Sequence, residues 1–424
     1  MISSEEVRKL FFNFFQNRGH KVIKSSSLIP DDDFSVLLTT AGMQQFKKYF
    51  TGEKNPILDF GTQRVASIQK CFRTTDIEEI GDERHLTFFE MLGNFSFGPI
   101  GSDNPNDFST SGYFKKSAIY WAYEFLTKEL GLKIDYVTVF EGENNIPFDK
   151  ESKEIWLEIG LDDKKIKTSG KKDNFWGPTG DEGPCGPTTE IYIDNLEIWN
   201  LVFNQYYQDK YKKLKNLKNA GVDTGMGFER LMKVIQNTET IFETDLFEPL
   251  RSNILAKKPE INIRDLRIIL DHLRGSVFLI ADGVYPSNLE RGYVLRRILR
   301  RLMLKLQKNN LLKFLESFIL DIKNKFSSIY KNLSEYDKII NVILTEFKGF
   351  ENTLIRGLNK FDKVVKHNSR EELVEKLFVM YTSYGFPLDI SLELLKERGL
   401  FLSEEDLILF EELFKKHQKI SKGL

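Results

Sequence analysis

The chain of 424 residues carries 61 basic and 62 acidic side chains and is 41% hydrophobic. That length calls for two or more cores, because a single core rarely grows past about 250–300 residues. The near-cancelling charge excludes an overall basic footprint, so a nucleic-acid partner has to be met by local clusters.

Taken in order, Ser3-Ser4-Glu5-Glu6 reads as a capping box, with Val7, Leu10, Phe11, Phe14 and Phe15 at helical spacing behind it and Gly19 as a stop. This predicts an amphipathic helix packed on a sheet. The stretch from Gln69 to Pro99 reads as two short apolar strands joined by a charged loop, Cys71-Phe72-Arg73 leading in and Leu86 to Leu92 leading out. Alternation puts Arg73 on the same side as groups of the second strand. A guanidinium fork beside an aromatic ring and a carboxylate suits a nucleotide; a half-buried hairpin with solvated charges is the plainer alternative.

A polar loop from Gly98 to Gly112 precedes a helix from about Phe114 to Leu130; Tyr136–Phe140 reads as a strand and Lys150–Ile159 as a helix. Gly170–Gly186 holds glycines at 170, 177, 180, 183 and 186 together with Pro178 and Pro184, which predicts a shaped loop and not regular structure. Asn174, Phe175 and Trp176 in its midst suit a loop wrapping a pocket, although a long surface connection would read the same way. Glu197–Gln205 is a strand with Asn200 midway, either a satisfied core amide or a ligand hook. Val222–Arg230 runs from strand end to helix start, with glycines that admit a ligand close to the backbone. In it Asp223 could hold an ammonium group and Arg230 could reach a phosphate.

Beyond about Asp245 the glycine-rich loops give way to helical patterns. Ile268, Ile269, His272, Leu273, Ser276 and Ile280 trace one stripe. Arg296, Arg297, Arg300 and Arg301 lie along one side of a helix over 291–306, either a solvated face or a row of phosphate contacts.

These stretches resemble a known family. The hairpin resembles motif 2 of the class II aminoacyl-tRNA synthetases, Val222–Arg230 their motif 3, and Ser25–Pro30 with Leu37–Met43 their motif 1. TFFEMLGNFSFG, DNFWGPTGDEGPCGPTTEI, EIWNLVFNQ, VDTGMGFER and ADGVYPSNLERGYVLRRILRR are similar, in order, to blocks of the alanyl-tRNA synthetase family, from about Ser25 to Arg301. The resemblance implies an α+β fold in which an antiparallel sheet flanked by helices is followed by an all-α domain. It divides the chain into a catalytic part, 1–244, and a helical part that recognises the tRNA acceptor stem, 245–424. The implied activity is ATP-dependent formation of alanyl-adenylate and transfer of alanine to the 3′ end of tRNA(Ala). A regulatory or amide-forming relative on the same fold is the alternative.

The resemblance also assigns residues. Arg73 would hold the α-phosphate and Arg230 the γ-phosphate, with Arg84 or His85 helping; Phe89 would stack on adenine and Met91 flank it. Asp223 would bind the alanine ammonium group, with Trp176 and Asn200 around it and Val202 and Gly225 limiting side-chain size. Glu197 is the candidate Mg²⁺ ligand. Asn288, Arg291, Arg296, Arg297, Arg300 and Asp389 are the expected tRNA contacts. Two departures stand out: Arg73 runs straight into Thr74-Thr75-Asp76 without the family's glycine- and lysine-bearing insertion, and Thr382 replaces the first aspartate of Tyr-Asp-x-x-Gly-Phe-Pro. That aspartate is associated in the family with reading a G·U pair of the acceptor stem. An editing module and its HxxxH pattern are not found in the sequence, so no editing activity is expected of this chain.

Two cysteines, Cys71 and Cys185, and five scattered histidines give neither a disulfide framework nor zinc-ligand spacing. No run approaches the ~18 apolar residues of a membrane span. A cytoplasmic, monomeric enzyme using ATP and Mg²⁺, without zinc and without a membrane partner, is the expectation.

Overall fold

The computed structural model describes residues 2–31, 33, 36–75, 77–143, 146–178, 180–367 and 370–421; Asp76, in the shortened loop after Arg73, lies outside them. The chain forms two compact units, one of residues 1–284 with 317–334, the other of 285–316 with 335–424. Among the described residues no helix is long and apolar enough to cross a membrane.

In the first unit, helix α1 (Ser4–Gln16) begins on the expected capping box: the Ser3 hydroxyl accepts from the Glu6 N–H, and the Ser3 N–H donates to the Glu6 carboxylate at 2.8 Å. Among the described residues nine strands form one sheet: β1 (Lys21–Ile23), β2 (Arg64–Phe72), β3 (Phe88–Ser96), β4 (Tyr136–Phe140), β5 (Ile166–Ser169), β6 (Phe175–Trp176), β7 (Gly183–Ile193), β8 (Leu196–Gln208) and β9 (Leu214–Gly227). Their order is β1-β2-β3-β9-β8-β7-β4-β5, with β6 pairing β7. Parallel pairing occurs at the two ends, β1 with β2 and β4 with β5, and every other pair is antiparallel.

The hairpin strands are longer than the sequence pattern predicts. β2 and β3 stay in register from Arg64↔Ser96 to Phe72↔Phe88. β2 is buried at all nine positions, so it lacks the alternation that marks a half-exposed strand. The expected irregular loop over Gly170–Gly186 needs correction. Lys171–Asn174 forms a helical turn, Phe175–Trp176 a strand, and Gly183–Gly186 belongs to β7. Gly186 is required there, because a Cβ would fall 1.8 Å from the Phe203 carbonyl oxygen, where β7 bulges between Cys185 and Thr188.

Strand alternation sorts the sheet into two faces. On one, Trp199 meets Phe11 and Phe15 of α1 and Phe125, while Phe203 meets Phe114; ring centroids are 5.7–6.4 Å apart. Phe125 continues helix α2 (Lys115–Glu124) as a π turn, and the separate helix over Lys150–Ile159 (α3) matches the sequence reading. On the other face the cross-strand pairs Asn200↔Gly225 and Val202↔Asp223 line up with Met91↔Gly227. Helix α4 (Phe228–Gln236) starts directly after β9, and α5 (Glu248–Lys257) and α6 (Ile263–Ala281) complete the unit with residues 317–334.

The second unit is helical: α7 (Glu290–Lys308), α8 (Tyr336–His367), α9 (Arg370–Tyr384), α10 (Leu388–Glu397) and α11 (Glu404–Ser421). Phe386 of the Gly-Phe-Pro turn is fully buried, and a Cβ on Gly357 of α8 would lie 1.9 Å from its ring. That contact explains why α8 carries a glycine in mid-helix despite its low propensity.

Candidate active site

The β2–β3 hairpin brings Arg73 to the mouth of a cavity of about 110 Å³ lined by Arg84, His85, Phe89, Met91, Glu197, Gly225, Gly227 and Arg230, among others. Arg73 sits one residue past β2, where its N–H donates to the Thr87 carbonyl at 2.8 Å, and its guanidinium lies 5.0 Å from the Phe89 ring centre. Arg230 projects from the first turn of α4 and pairs with the Glu197 carboxylate at 3.1 Å. Asp82 holds the turn carrying Arg84 and His85: its carboxylate accepts both their N–H groups, at 3.0 and 2.8 Å, and meets His85 Nδ1 at 2.5 Å. Gly225 keeps Met91 in place, since a Cβ there would come within 2.8 Å of its sulfur.

Asp223, Asn200, Val202 and Trp176 lie outside this lining. Asp223 is buried opposite Val202, and burial alone pushes its carboxyl up to about 8. Asn200 donates through Nδ2 to Glu190 at 3.0 Å, while its Oδ1 is buried without a partner. Trp176 packs on the cluster of Phe46, Phe50 and Phe95, and shares with Arg73 a second, open hollow of about 430 Å³. Arg73 therefore borders both spaces.

Several residues of this region carry no pattern in the sequence. Glu190 on β7 fixes the Asn200 amide; burial, then the neighbouring Glu197 charge, pushes its carboxyl up to about 7. Behind β3 lies a fully buried cluster. Arg274 of α6 donates to the Phe88 carbonyl and to Glu229, both at 2.7 Å, and the Glu229 carboxylate accepts the Glu90 N–H at 3.1 Å. The Glu90 carboxylate pairs with Arg8 and accepts from the Tyr330 hydroxyl. Burial opposes ionisation of Glu90, yet Arg8 beside it holds the carboxyl below its ordinary range; burial pushes Glu229 up. Phe89 and Arg230 thus each neighbour a residue anchored in this cluster.

The second unit holds the remaining predicted residues. Arg296 and Arg300 both reach Glu346 at 3.1 Å, Arg297 pairs with Asp389 at 3.2 Å, and Arg301 with Glu393 at 2.8 Å. Arg296 also donates to the Asn288 side-chain oxygen, and Arg291 is half-buried on the first turn of α7. The row is an ion-pair ladder whose acids come from α8 and α10. Thr382, half-buried, donates to the Phe378 carbonyl of its own helix at 2.9 Å. Among the described residues no group of three or more His, Cys, Asp or Glu side chains is placed to hold a metal ion.

The family model for class II (A) tRNA synthetases matches residues 6–423. An alanine–tRNA ligase of Rubrobacter xylanophilus is 40% identical over 450 residues, covering 95% of this chain and 48% of its own length. One of Dehalococcoides mccartyi is 41% identical over 431 residues, covering 94% and 47%. One of Borrelia hermsii is 38% identical over 451 residues, covering 99% and 73%. The chain spans about half the length of the first two relatives. With a family match running nearly end to end, the chain belongs to the class II (A) tRNA synthetases, among the relatives named alanine–tRNA ligase.

Proposed function

We propose that the chain activates L-alanine with ATP and passes it to the 3′ end of tRNA(Ala). The observation that carries this reading is Asp223: a lone carboxylate buried without a neighbouring cation, beside the unpartnered Oδ1 of Asn200 and next to an arginine-lined cavity. A buried charge without a partner is costly unless a ligand supplies one, and a primary ammonium fits a carboxylate and an amide oxygen together. Val202, directly across from Asp223, leaves an apolar wall suited to a methyl group.

In the first step an alanine carboxylate oxygen attacks the α-phosphorus as the bond to pyrophosphate breaks. Arg73 and Arg230 bracket the cavity and neutralise the charge that spreads over the phosphoryl oxygens; no covalent bond to the protein is needed. In the second, a hydroxyl of the terminal ribose attacks the carbonyl carbon and AMP leaves. Of the two carboxylates that line the cavity, Glu229 is tied to Arg274 and Glu197 would face Mg²⁺, so the ion would be held chiefly by phosphate oxygens, in keeping with its preference for few protein ligands. There it would offset phosphate charge.

The helical residues from about 245 onward, with Asn288 and Asp389, are assigned to the acceptor stem, whose shallow minor groove exposes base edges. Arg296 and Arg297 hold those two groups in place. The test is ATP–pyrophosphate exchange with each of the twenty amino acids in turn. Alanine giving the highest kcat/KM supports the proposal; exchange with none of them, by a folded protein, refutes it.

A further inference from the structure

Resting on that reading, a further residue belongs to the amino-acid subsite. β8 runs in unbroken register with β9 from Asn200↔Gly225 through Val202↔Asp223 to Asn204↔Gly221. Side chains two apart on a strand share a face, so Asn204 follows Asn200 and Val202 along the same side, as a diagonal neighbour of Asp223. It is fully buried, and neither its Nδ2 nor its Oδ1 has a hydrogen-bond partner. It is the one amide among the described residues with both ends in that state. The strands on either side offer it glycines: Gly221 directly opposite on β9, and Gly186 on β7 packed against the carbonyl of Phe203. Packing closes over both, since a Cβ at Gly221 would meet the Phe50 ring at 2.9 Å and one at Gly186 the Phe203 carbonyl oxygen at 1.8 Å, so the amide is enclosed with both its bonds unmade.

Buried polar groups are almost always paired, and a side chain with two unmade bonds beside a lone carboxylate is the pattern expected of a surface that completes its bonds with a ligand or with water. We infer that Asn204 forms the far wall of the amino-acid subsite and that its amide receives the hydroxyl of serine, so that the choice between serine and alanine depends on this side chain. A hydroxyl donates one proton and accepts others, and can answer both ends of an amide; the alanine methyl answers neither. Sites that hydrogen-bond a substrate hydroxyl discriminate on it, whereas an apolar wall rejects an added hydroxyl only weakly.

The experiment is ATP–pyrophosphate exchange with alanine, serine and glycine on the full chain, wild type against Asn204→Leu and Asn204→Met. The Met variant covers the case in which the branched side chain does not fit. The serine-to-alanine ratio of kcat/KM is expected to fall about 10-fold, with the glycine-to-alanine ratio staying within about 2-fold, because glycine carries no group for the amide to bind. A purely structural role, or an amide that only holds water, would leave both ratios unchanged or move them together, and either result overturns the inference. Loss of exchange with all three substrates in both variants also overturns it, marking the amide as part of the core. Failure of the function itself is distinguishable, since wild type would then show no alanine-dependent exchange.

Discussion

Replacing Asp223 by asparagine should make the protein more stable while destroying its use of alanine, and the gain should depend on pH. Burial raises the carboxyl from 3.8 to about 8. A folded-state value above the unfolded one means that the unbound folded protein holds its proton longer. The contribution of this group to stability is therefore fully present below about 4 and is lost as pH rises through about 8. At about 1.36 kcal/mol per pH unit, the ionised group disfavours the folded state by roughly 4 kcal/mol at pH 7 and by somewhat more above pH 8. Asparagine removes that term, and its own unpaired amide gives back about 1–3 kcal/mol. The net advantage should be near zero at pH 5, roughly 1–3 kcal/mol at pH 7, and level above pH 8. Chemical denaturation of wild type and Asp223→Asn, without ligands, across pH 5 to 9 reads this directly. In parallel, wild-type kcat/KM for alanine should rise about tenfold per pH unit below about 8, since only the carboxylate binds an ammonium group, with KM for ATP flat. A stability difference that does not change with pH would refute the reasoning, because it would mean that Asp223 is ionised or partnered in the free protein.

Arg73→Ala should abolish pyrophosphate exchange with the unfolding midpoint unmoved, and Arg73→Lys should restore less than about a tenth, because a point charge does not replace a fork; full activity in either argues against its phosphate role. Glu190→Ala should raise KM for alanine about 5–10-fold and leave KM for ATP alone, since it releases the Asn200 amide; steady-state exchange kinetics check this. Arg274→Met leaves Glu229 buried without its cation and should destabilise the protein by about 3–5 kcal/mol, and adding Glu229→Leu should recover part of that in denaturation curves. Asn288→Ala should reduce the preference of charging for G·U over G·C minihelices, and Arg297→Ala should alter it too by releasing Asp389; a preference untouched by both variants places the reader elsewhere.

What the sequence conveyed and what it hid divide along sequence separation. The capped α1, the strand Tyr136–Phe140, the helix Lys150–Ile159 and the turn from β9 into α4 all rest on local spacing, and they stand where the spacing puts them. The ends of β2 leave no mark in the sequence because a strand buried on both faces shows no alternation. The run from Gly170 is ambiguous for another reason: glycines that signal a loop are also the residues a bulged strand needs where another backbone crosses closely. Pairing over long separations leaves no periodic trace. The acids opposite Arg296, Arg297 and Arg301 lie 50, 92 and 92 positions away, and the Glu90 N–H finds Glu229 across 139. The arginine row therefore reads as unneutralised in one dimension and is neutralised in three. Asn200 reads in sequence as either a core amide or a ligand hook, and in the fold Glu190 satisfies one end of it while the other end has no partner.

The route of the chain between the units bears on synthesis. Residues 317–334 belong with the sheet, although 285–316 come first. Tyr330 supplies the hydroxyl that Glu90 accepts, and Lys325 reaches Asp245 at 3.1 Å, the same carboxylate that takes the Ser4 N–H. A nascent chain that has emerged to Val284 thus has every strand of the sheet but not the groups that close its interior around Glu90. At about 5–20 residues per second that gap lasts on the order of several seconds. During this interval the first unit must wait with a buried carboxylate answered by Arg8 alone among its side-chain partners, a window open to chaperones and to proteases that the finished molecule does not offer.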